Sequence, residues 1–224
     1  FISGTLAIFD EDVENHMGTT GAQYMSYDRY GKTSHKEGFG SSFIVAGFAL
    51  KTNDLGGIAN ARLDLFGADL HDFMKRAKRG LTRIGTFGEE LPNIENRIEP
   101  VNDKDEFGMP LAKIIHSYDK DAEAVWNANF EEGLEVGRAT GAKDVWSARG
   151  NMPTIHLMGG TIMGTQVGNS VVNSYGQTHE IPNLYVAGPG IFATSGASNP
   201  TYTIFALSLR GVEQLAASWG TVTD

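Results

Sequence analysis

Residues 194–205 read Thr194-Ser195-Gly196-Ala197-Ser198-Asn199-Pro200-Thr201-Tyr202-Thr203-Ile204-Phe205, a run of small polar residues that breaks on Asn-Pro and turns at once apolar. Beyond it, Ala206, Leu207, Leu209, Val212, Leu215 and Ala216 leave little polar surface except at Arg210 and Glu213. A helix apolar around most of its circumference is expected to be buried. Asn is a favoured N-cap and Pro a favoured first helical residue, so Asn199-Pro200 sets the expected start. The positive end of the helix dipole then lies at Asn199.

Just upstream, Leu184-Tyr185-Val186-Ala187-Gly188 reads as a strand, and Gly188-Pro189-Gly190-Ile191-Phe192-Ala193 has the spacing of a dinucleotide-binding fingerprint. That fingerprint must open a helix to receive a pyrophosphate. Pro189 and the following Thr194-Ser195-Gly196 prevent one, so the segment reads as the last strand of an α/β sheet leading into a ligand-lining loop. Further back stands His156-Leu157-Met158-Gly159-Gly160-Thr161-Ile162-Met163-Gly164. An imidazole, with an ordinary pKa of about 6.5, is suited to taking a proton near neutrality. Adjacent glycines let backbone and a flat ligand approach closely. Taken alone, a single histidine is more often structural than catalytic. His16, His35, His71, His116 and His179 show no helical pair or carboxylate cluster, and no metal site is expected.

The first 150 residues are of mixed character. Phe1–Phe9 and Gly40–Leu50 read as strands, and Asp69–Arg79 as a short helix closed by Gly80, with acids at its start and Lys75, Arg76, Lys78 and Arg79 at its end. Arg97–Val101 and Leu111–Tyr118 read as a hairpin. The acidic turn between them lacks the spacing and distal Glu of a calcium loop, so a solvated turn is expected. Asp121–Thr140 reads as an amphipathic helix with Ala122, Val125, Trp126, Phe130 and Leu134 inward.

The 224 residues carry a formal charge of −9, with 41% hydrophobic and 20% charged side chains, an ordinary globular composition. Scattered Lys and Arg do not make the basic patches that nucleic acid or an anionic membrane would require. With no cysteine, disulfides, iron–sulfur clusters and thiolate zinc are excluded. No apolar run reaches the roughly 18 residues of a membrane span. The chain opens on Phe1 with no basic, apolar leader, as expected of a mature or cleaved chain or a fragment.

Four linked motifs lift the reading from chemistry to family. His156…Gly159-Gly160-Thr161…Met163-Gly164, Asn169-Ser170-Val171-Val172-Asn173, Ile181-Pro182-Asn183-Leu184-Tyr185-Val186-Ala187-Gly188 and Thr194-Ser195-Gly196-Ala197-Ser198-Asn199-Pro200-Thr201 follow one another in an order that resembles the C-terminal signature of the glucose-methanol-choline flavoprotein oxidoreductases. The pattern His-x-x-Gly-Gly-Thr is most similar to bacterial sugar and sugar-acid dehydrogenases and to pyranose oxidases. The resemblance implies an α/β chain in two parts: residues 1–150 as an α+β substrate-binding region with a β-sheet, and residues 151–224 as the C-terminal part of a Rossmann-like FAD-binding domain.

It implies FAD as cofactor and oxidation of a sugar or other alcohol CH–OH by hydride transfer to flavin N5. His156 is then the base and Asn199 its catalytic partner, with Gly188, Pro189, Asn199, Pro200 and Thr201 against the cofactor. The same Asn199 read without the resemblance is simply a helix cap. The family's N-terminal strand–Gly-x-Gly-x-x-Gly–helix does not occur in these residues. The chain is therefore expected not to hold FAD alone, its partner being an N-terminal FAD-binding segment or a separate chain, with an electron-transfer subunit as a further candidate. The compartment stays open between bacterial cytoplasm and periplasm. A non-catalytic carbohydrate-binding or bridging subunit is the alternative; a serine hydrolase ranks last, since no Gly-x-Ser-x-Gly elbow occurs.

Overall fold

The computed structural model describes residues 2–18, 21, 24–147 and 156–222. The chain forms two compact units, Phe1–Glu89 with Lys120–Thr154, and Glu90–Asp119 with Ile155–Asp224. The boundary expected after residue 150 falls outside the described residues, and the hairpin segment is grouped with the C-terminal residues.

The elements run β1 (Ile2–Ile8), β2 (Tyr24–Ser26), β3 (Ser42–Ala46), α1 (Thr52–Asn60), α2 (Gly67–Gly80), β4 (Leu81–Gly88), β5 (Arg97–Lys104), β6 (Pro110–Ile115), α3 (Lys120–Ala139), β7 (Asp144–Ser147), α4 (Thr201–Ala217) and α5 (Trp219–Val222). The fold is α+β, with antiparallel sheets. In the first unit five strands lie in the order β2-β3-β4-β1-β7.

Strand alternation sends successive side chains to opposite sheet faces. Ile8 and Leu81, opposite each other in register, join Leu50, Leu55, Phe73 and Ala77 in a core beneath α1 and α2. Phe73 and Ala77 are one turn apart on α2, with Asp69 in its first turn and Lys78 and Arg79 in its last, as the dipole favours. Ser3, Thr5 and Thr86 point the other way, where α3 packs. A Cβ on Gly133 would come within 2.5 Å of Thr5 Oγ1, and one on Gly137 within 2.6 Å of Val145 Cγ1. These two glycines, one turn apart, bring α3 close to the sheet. Phe130 and Val125 of α3 are buried; each large apolar side chain contributes about 1.5–3 kcal/mol.

The central strand β4 is absent from the sequence reading, as are α1, β2 and β7. Gly80 closes α2 differently from a left-handed cap: a Cβ there would overlap Phe9 O, so the glycine serves close backbone approach. Glu89 just follows β4, and its enclosed carboxylate accepts hydrogen bonds from Lys32 Nζ (2.5 Å), Ser41 Oγ (2.7 Å) and Ser41 N (3.0 Å).

In the second unit β5 and β6 pair as a two-stranded ribbon, with Ile98 opposite Ile114. Asp105 Oδ1 in its turn accepts from the amides of Phe107 and Met109, both at 2.9 Å, which accounts for that acidic residue without a cation. The remainder of the unit is mostly loop, knit by isolated bridges joining Met163 to Val172, Val172 to Thr178 and Gln177 to Tyr185. Residues 184–188, expected as a strand, contribute only the last of these bridges.

Candidate functional site

The expected site residues lie in the second unit, on two segments tied together by backbone. Gly159 N donates to Pro189 O (3.1 Å), Thr161 N to Gly190 O (3.1 Å) and Met163 N to Ile191 O (2.9 Å). The His156 loop and the Gly188–Ile191 segment thus run side by side. Beneath them Val172, Ile191 and Phe192 form a core with Met158, Met163, Val186, Ile204 and Leu207, which seats the inner face of α4. Gly211 continues that face, since a Cβ there would meet Tyr175 O at 2.6 Å.

His156 is exposed and holds φ at 55°, in the left-handed region uncommon for a residue with a side chain. Gly159 and Gly160 follow with φ of 85° and 90°, and Gly188 has φ of 103°. A Cβ on Gly160 or Gly188 would meet nothing within 4 Å, so open space adjoins bare backbone at both. Gly190 is different: its Cβ would come within 2.7 Å of Thr161 Oγ1, so this glycine is needed for packing.

The start of α4 departs from the expected cap. The N-cap is Pro200 (φ −93°, ψ 0°), the first helical residue is Thr201, and there is no side-chain cap hydrogen bond. Ile204 N donates to Pro200 O at 2.9 Å, closing the first turn on the proline carbonyl and leaving Asn199 one residue outside. Asn199 is exposed, and its amide makes no hydrogen bond among the described residues. The first-turn amides of Thr201, Tyr202 and Thr203 have no acceptor within the helix, as at any helix start. No hydrogen bond joins Asn199 to His156.

Burial of α4 is the second correction. Tyr202, Phe205, Leu209 and Val212 are 89%, 65%, 59% and 59% exposed. Their spacing of three and four places them on one outer stripe. The helix has two apolar faces, and the described residues cover one.

The other histidines are structural or exposed. His35 bonds Ser42 Oγ (2.9 Å), His116 bonds Glu90 Oε1 (2.9 Å) and His179 bonds Ser170 Oγ (3.0 Å), while His16 and His71 face solvent. In the first unit, a cleft of about 720 Å³ runs between α2 and β7, lined by Arg62, Phe73, Arg76 and Trp146 among others. Its guanidinium groups are committed, Arg62 to Asp64 and Arg76 to Asp144, which argues against chemistry there. No helix among the described residues is long and apolar enough to cross a membrane.

An α+β chain with a His–Gly–Gly–Thr loop stitched to a Gly–Pro–Gly turn, followed by an uncapped apolar helix, meets the known proteins at one family. The GMC oxidoreductase model matches residues 68–208, and the chain belongs to that family. Among curated relatives, it is 28% identical to the 2-methyl-1,2-propanediol dehydrogenase of Mycolicibacterium austroafricanum, over 95% of this chain and 39% of the relative. It is 28% identical to the fructose dehydrogenase large subunit of Gluconobacter japonicus, over 73% of this chain and 30% of the relative. With the paromamine 6'-oxidase of Streptomyces fradiae it shares 34% identity, over 60% of this chain and 25% of the relative. The chain therefore spans well under half the length of these proteins.

Proposed function

We propose that this chain is the C-terminal portion of an FAD-dependent enzyme that oxidises a CH–OH group of a sugar or other alcohol. Residues 1–150 serve substrate binding and residues 151–224 complete the FAD-binding domain and carry the catalytic pair. The remaining cofactor contacts come from an N-terminal segment or a separate chain. The relative named as a large subunit suggests an electron-transfer subunit as a further partner.

The observation that carries this reading is the uncapped start of α4 beside uncommitted Asn199. Free amide donors and the positive helix end suit the electron-rich pyrimidine edge of a flavin. The bare backbone at Gly160 and Gly188 suits a flat ring. The residues present thus fit FAD: Thr201 and its helix neighbours as donors, with Pro200, Gly188 and Pro189 at the loop margin. When bound, FAD supplies the acceptor for the hydride leaving the alcohol carbon.

The protein's own residues handle the proton. The His156 imidazole, on a residue exposed at the surface of its loop, takes the hydroxyl proton. The Asn199 side-chain NH2 donates to the same oxygen and orients it. The test is anaerobic reduction of bound flavin by substrate in the complete flavoenzyme. His156→Ala should slow it by about 10²–10⁴-fold with flavin content unchanged. Loss of flavin with normal turnover in the remaining holoenzyme would make His156 structural.

A further inference from the structure

The inner stripe of α3 consists of Ala122, Val125, Asn129, Gly133 and Gly137, all buried and spaced by three and four so that they share one face. It is apolar or bare except at its centre, where Asn129 is 1% exposed. The Asn129 Nδ2 donor has no hydrogen-bond partner among the described residues, and neither has the buried indole N–H of Trp126, three residues earlier on the same helix. Native proteins seldom leave a buried donor without an acceptor, because its hydration is lost and nothing replaces it. Two such donors within one turn call for an acceptor that is not a protein atom of the described residues.

The sheet face beneath them is polar. A Cβ on Gly40, two residues before β3, would stand 3.4 Å from Val125 Cγ2, while one on Gly133 meets Thr5 of β1 and one on Gly137 meets Val145 of β7. The stripe thus crosses the sheet from the start of β3 towards β7. Asn129, midway between Val125 and Gly133, falls over β4 and β1. There the register Ser3↔Thr86 and the alternation of β1 put Ser3 and Thr86 on the same face as Thr5 and Ser147. Ser3 and Thr86 are buried and bond each other through their hydroxyls. Thr5 Oγ1 donates to Ser147 Oγ (3.5 Å), which donates to Gly4 O (2.8 Å). A hydroxyl oxygen can accept twice, so one bond between Ser3 and Thr86 leaves lone pairs unused on both.

We propose that the interface between α3 and the sheet encloses an internal water site, in which ordered water accepts from Asn129 Nδ2 and Trp126 Nε1 and donates to the Ser3 and Thr86 oxygens. Internal waters make about three hydrogen bonds to buried polar groups that otherwise have none, and these four groups supply them. A neutral ligand fits better than a halide. Gly40, which adjoins Val125, also adjoins the backbone of Glu89, and the Glu89 carboxylate is itself enclosed. An unpaired anion buried near that charge is far costlier than a neutral molecule. The water completes the seat of α3, whose donors and the hydroxyls below them do not bond each other directly.

The experiment is a crystal structure of the complete flavoenzyme at a resolution that shows ordered water, with a second crystal soaked in sodium bromide. Isolated density should stand within about 2.7–3.2 Å of Asn129 Nδ2, with Trp126 Nε1 bonded to the same peak or to one adjoining it. Bromide should give no anomalous signal there. Asn129→Leu, close in size but without polar atoms, should lose the peak. The parent crystals decide the matter alone if that variant folds poorly. Absence of density at Asn129 Nδ2, a protein oxygen in its place, an anomalous bromide signal at the peak, or a peak retained in folded Asn129→Leu would each overturn the proposal.

Discussion

The backbone of Phe9, just past β1, lies directly against Gly80 at the end of α2, and the Phe9 amide donates to the Gly80 carbonyl at 2.9 Å. A Cβ on Gly80 would strike Phe9 O, a backbone atom with no rotamer to escape into. Gly→Ala inside a helix ordinarily stabilises by up to about 1 kcal/mol. Here the sign reverses: Gly80→Ala should destabilise the first unit by about 1–3 kcal/mol, as overpacking does. Urea unfolding followed by circular dichroism reads it directly. A raised midpoint would show that the α2–β4 junction has slack.

Glu89 makes the first unit sensitive to acid. Burial pushes its carboxyl up, but the hydrogen bonds from Lys32 and Ser41 outweigh burial and hold it below its ordinary value. A folded-state pKa below the unfolded one contributes stability that is present above the unfolded value and is lost as pH falls through the folded value. Glu89→Gln should flatten that acid limb of a melting-temperature profile. At neutral pH it should cost about 1–3 kcal/mol through the loss of charge-assisted bonds. An unchanged acid limb would mean other carboxylates dominate.

His35 adds a second window at higher pH. Burial lowers its pKa; Glu132 opposes this and Arg29 adds to it. A depressed imidazole pKa favours the neutral ring in the folded state. Its contribution is therefore present above the unfolded value of about 6.5 and is lost as pH falls through the folded one. His35→Gln should remove the slope just below neutrality while leaving the Glu89 limb in place. Coincident profiles for the variant and the parent would rule His35 out as its source.

The elements legible in the sequence are those whose pattern is local. α3 shows its inward Ala122, Val125 and Phe130 at helical spacing, and all three are buried. The hairpin announces itself through its polar turn. β4 was hidden because Gly80 reads as a stop, whereas the chain passes straight from α2 into the strand. α1 was hidden because Gly56 and Gly57 argue against a helix that tertiary packing of Leu55 secures. At the site, the sequence picks out the His156 loop and the α4 start, but the cap lies one residue further on, at Pro200. Asn-Pro is ambiguous between cap-plus-first-turn and an outside residue plus cap, and only the carbonyl that Ile204 bonds decides it.

The outer stripe of α4 yields a prediction that separates folding from assembly. Phe205 and Leu209 are well over half exposed, so a charge at either should change the stability of this chain by no more than about 0.5 kcal/mol. If the stripe is covered by the FAD-binding portion, Leu209→Lys should block assembly with that portion and abolish flavin retention. Co-purification and flavin absorbance measure both. A charged variant that still assembles and holds flavin would show that this face stays in water.

Asn199 is where the cap reading and the catalytic reading part. A capping Asn replaced by Ala costs about 1 kcal/mol. In this structure the amide caps nothing and the helix closes on the Pro200 carbonyl, so Asn199→Ala should leave the melting temperature of the chain within error. In the complete flavoenzyme the same variant should still slow flavin reduction, because the substrate oxygen loses a positioned donor. Asn199→Asp removes that donor too and adds a negative charge at the positive end of α4, opposing charge that develops on the pyrimidine edge. Flavin in Asn199→Asp should therefore be harder to reduce than in Asn199→Ala, with a lower midpoint potential. A stability loss in Asn199→Ala would restore the cap. Equal potentials in the two variants would mean that the start of α4 does not face the flavin pyrimidine edge.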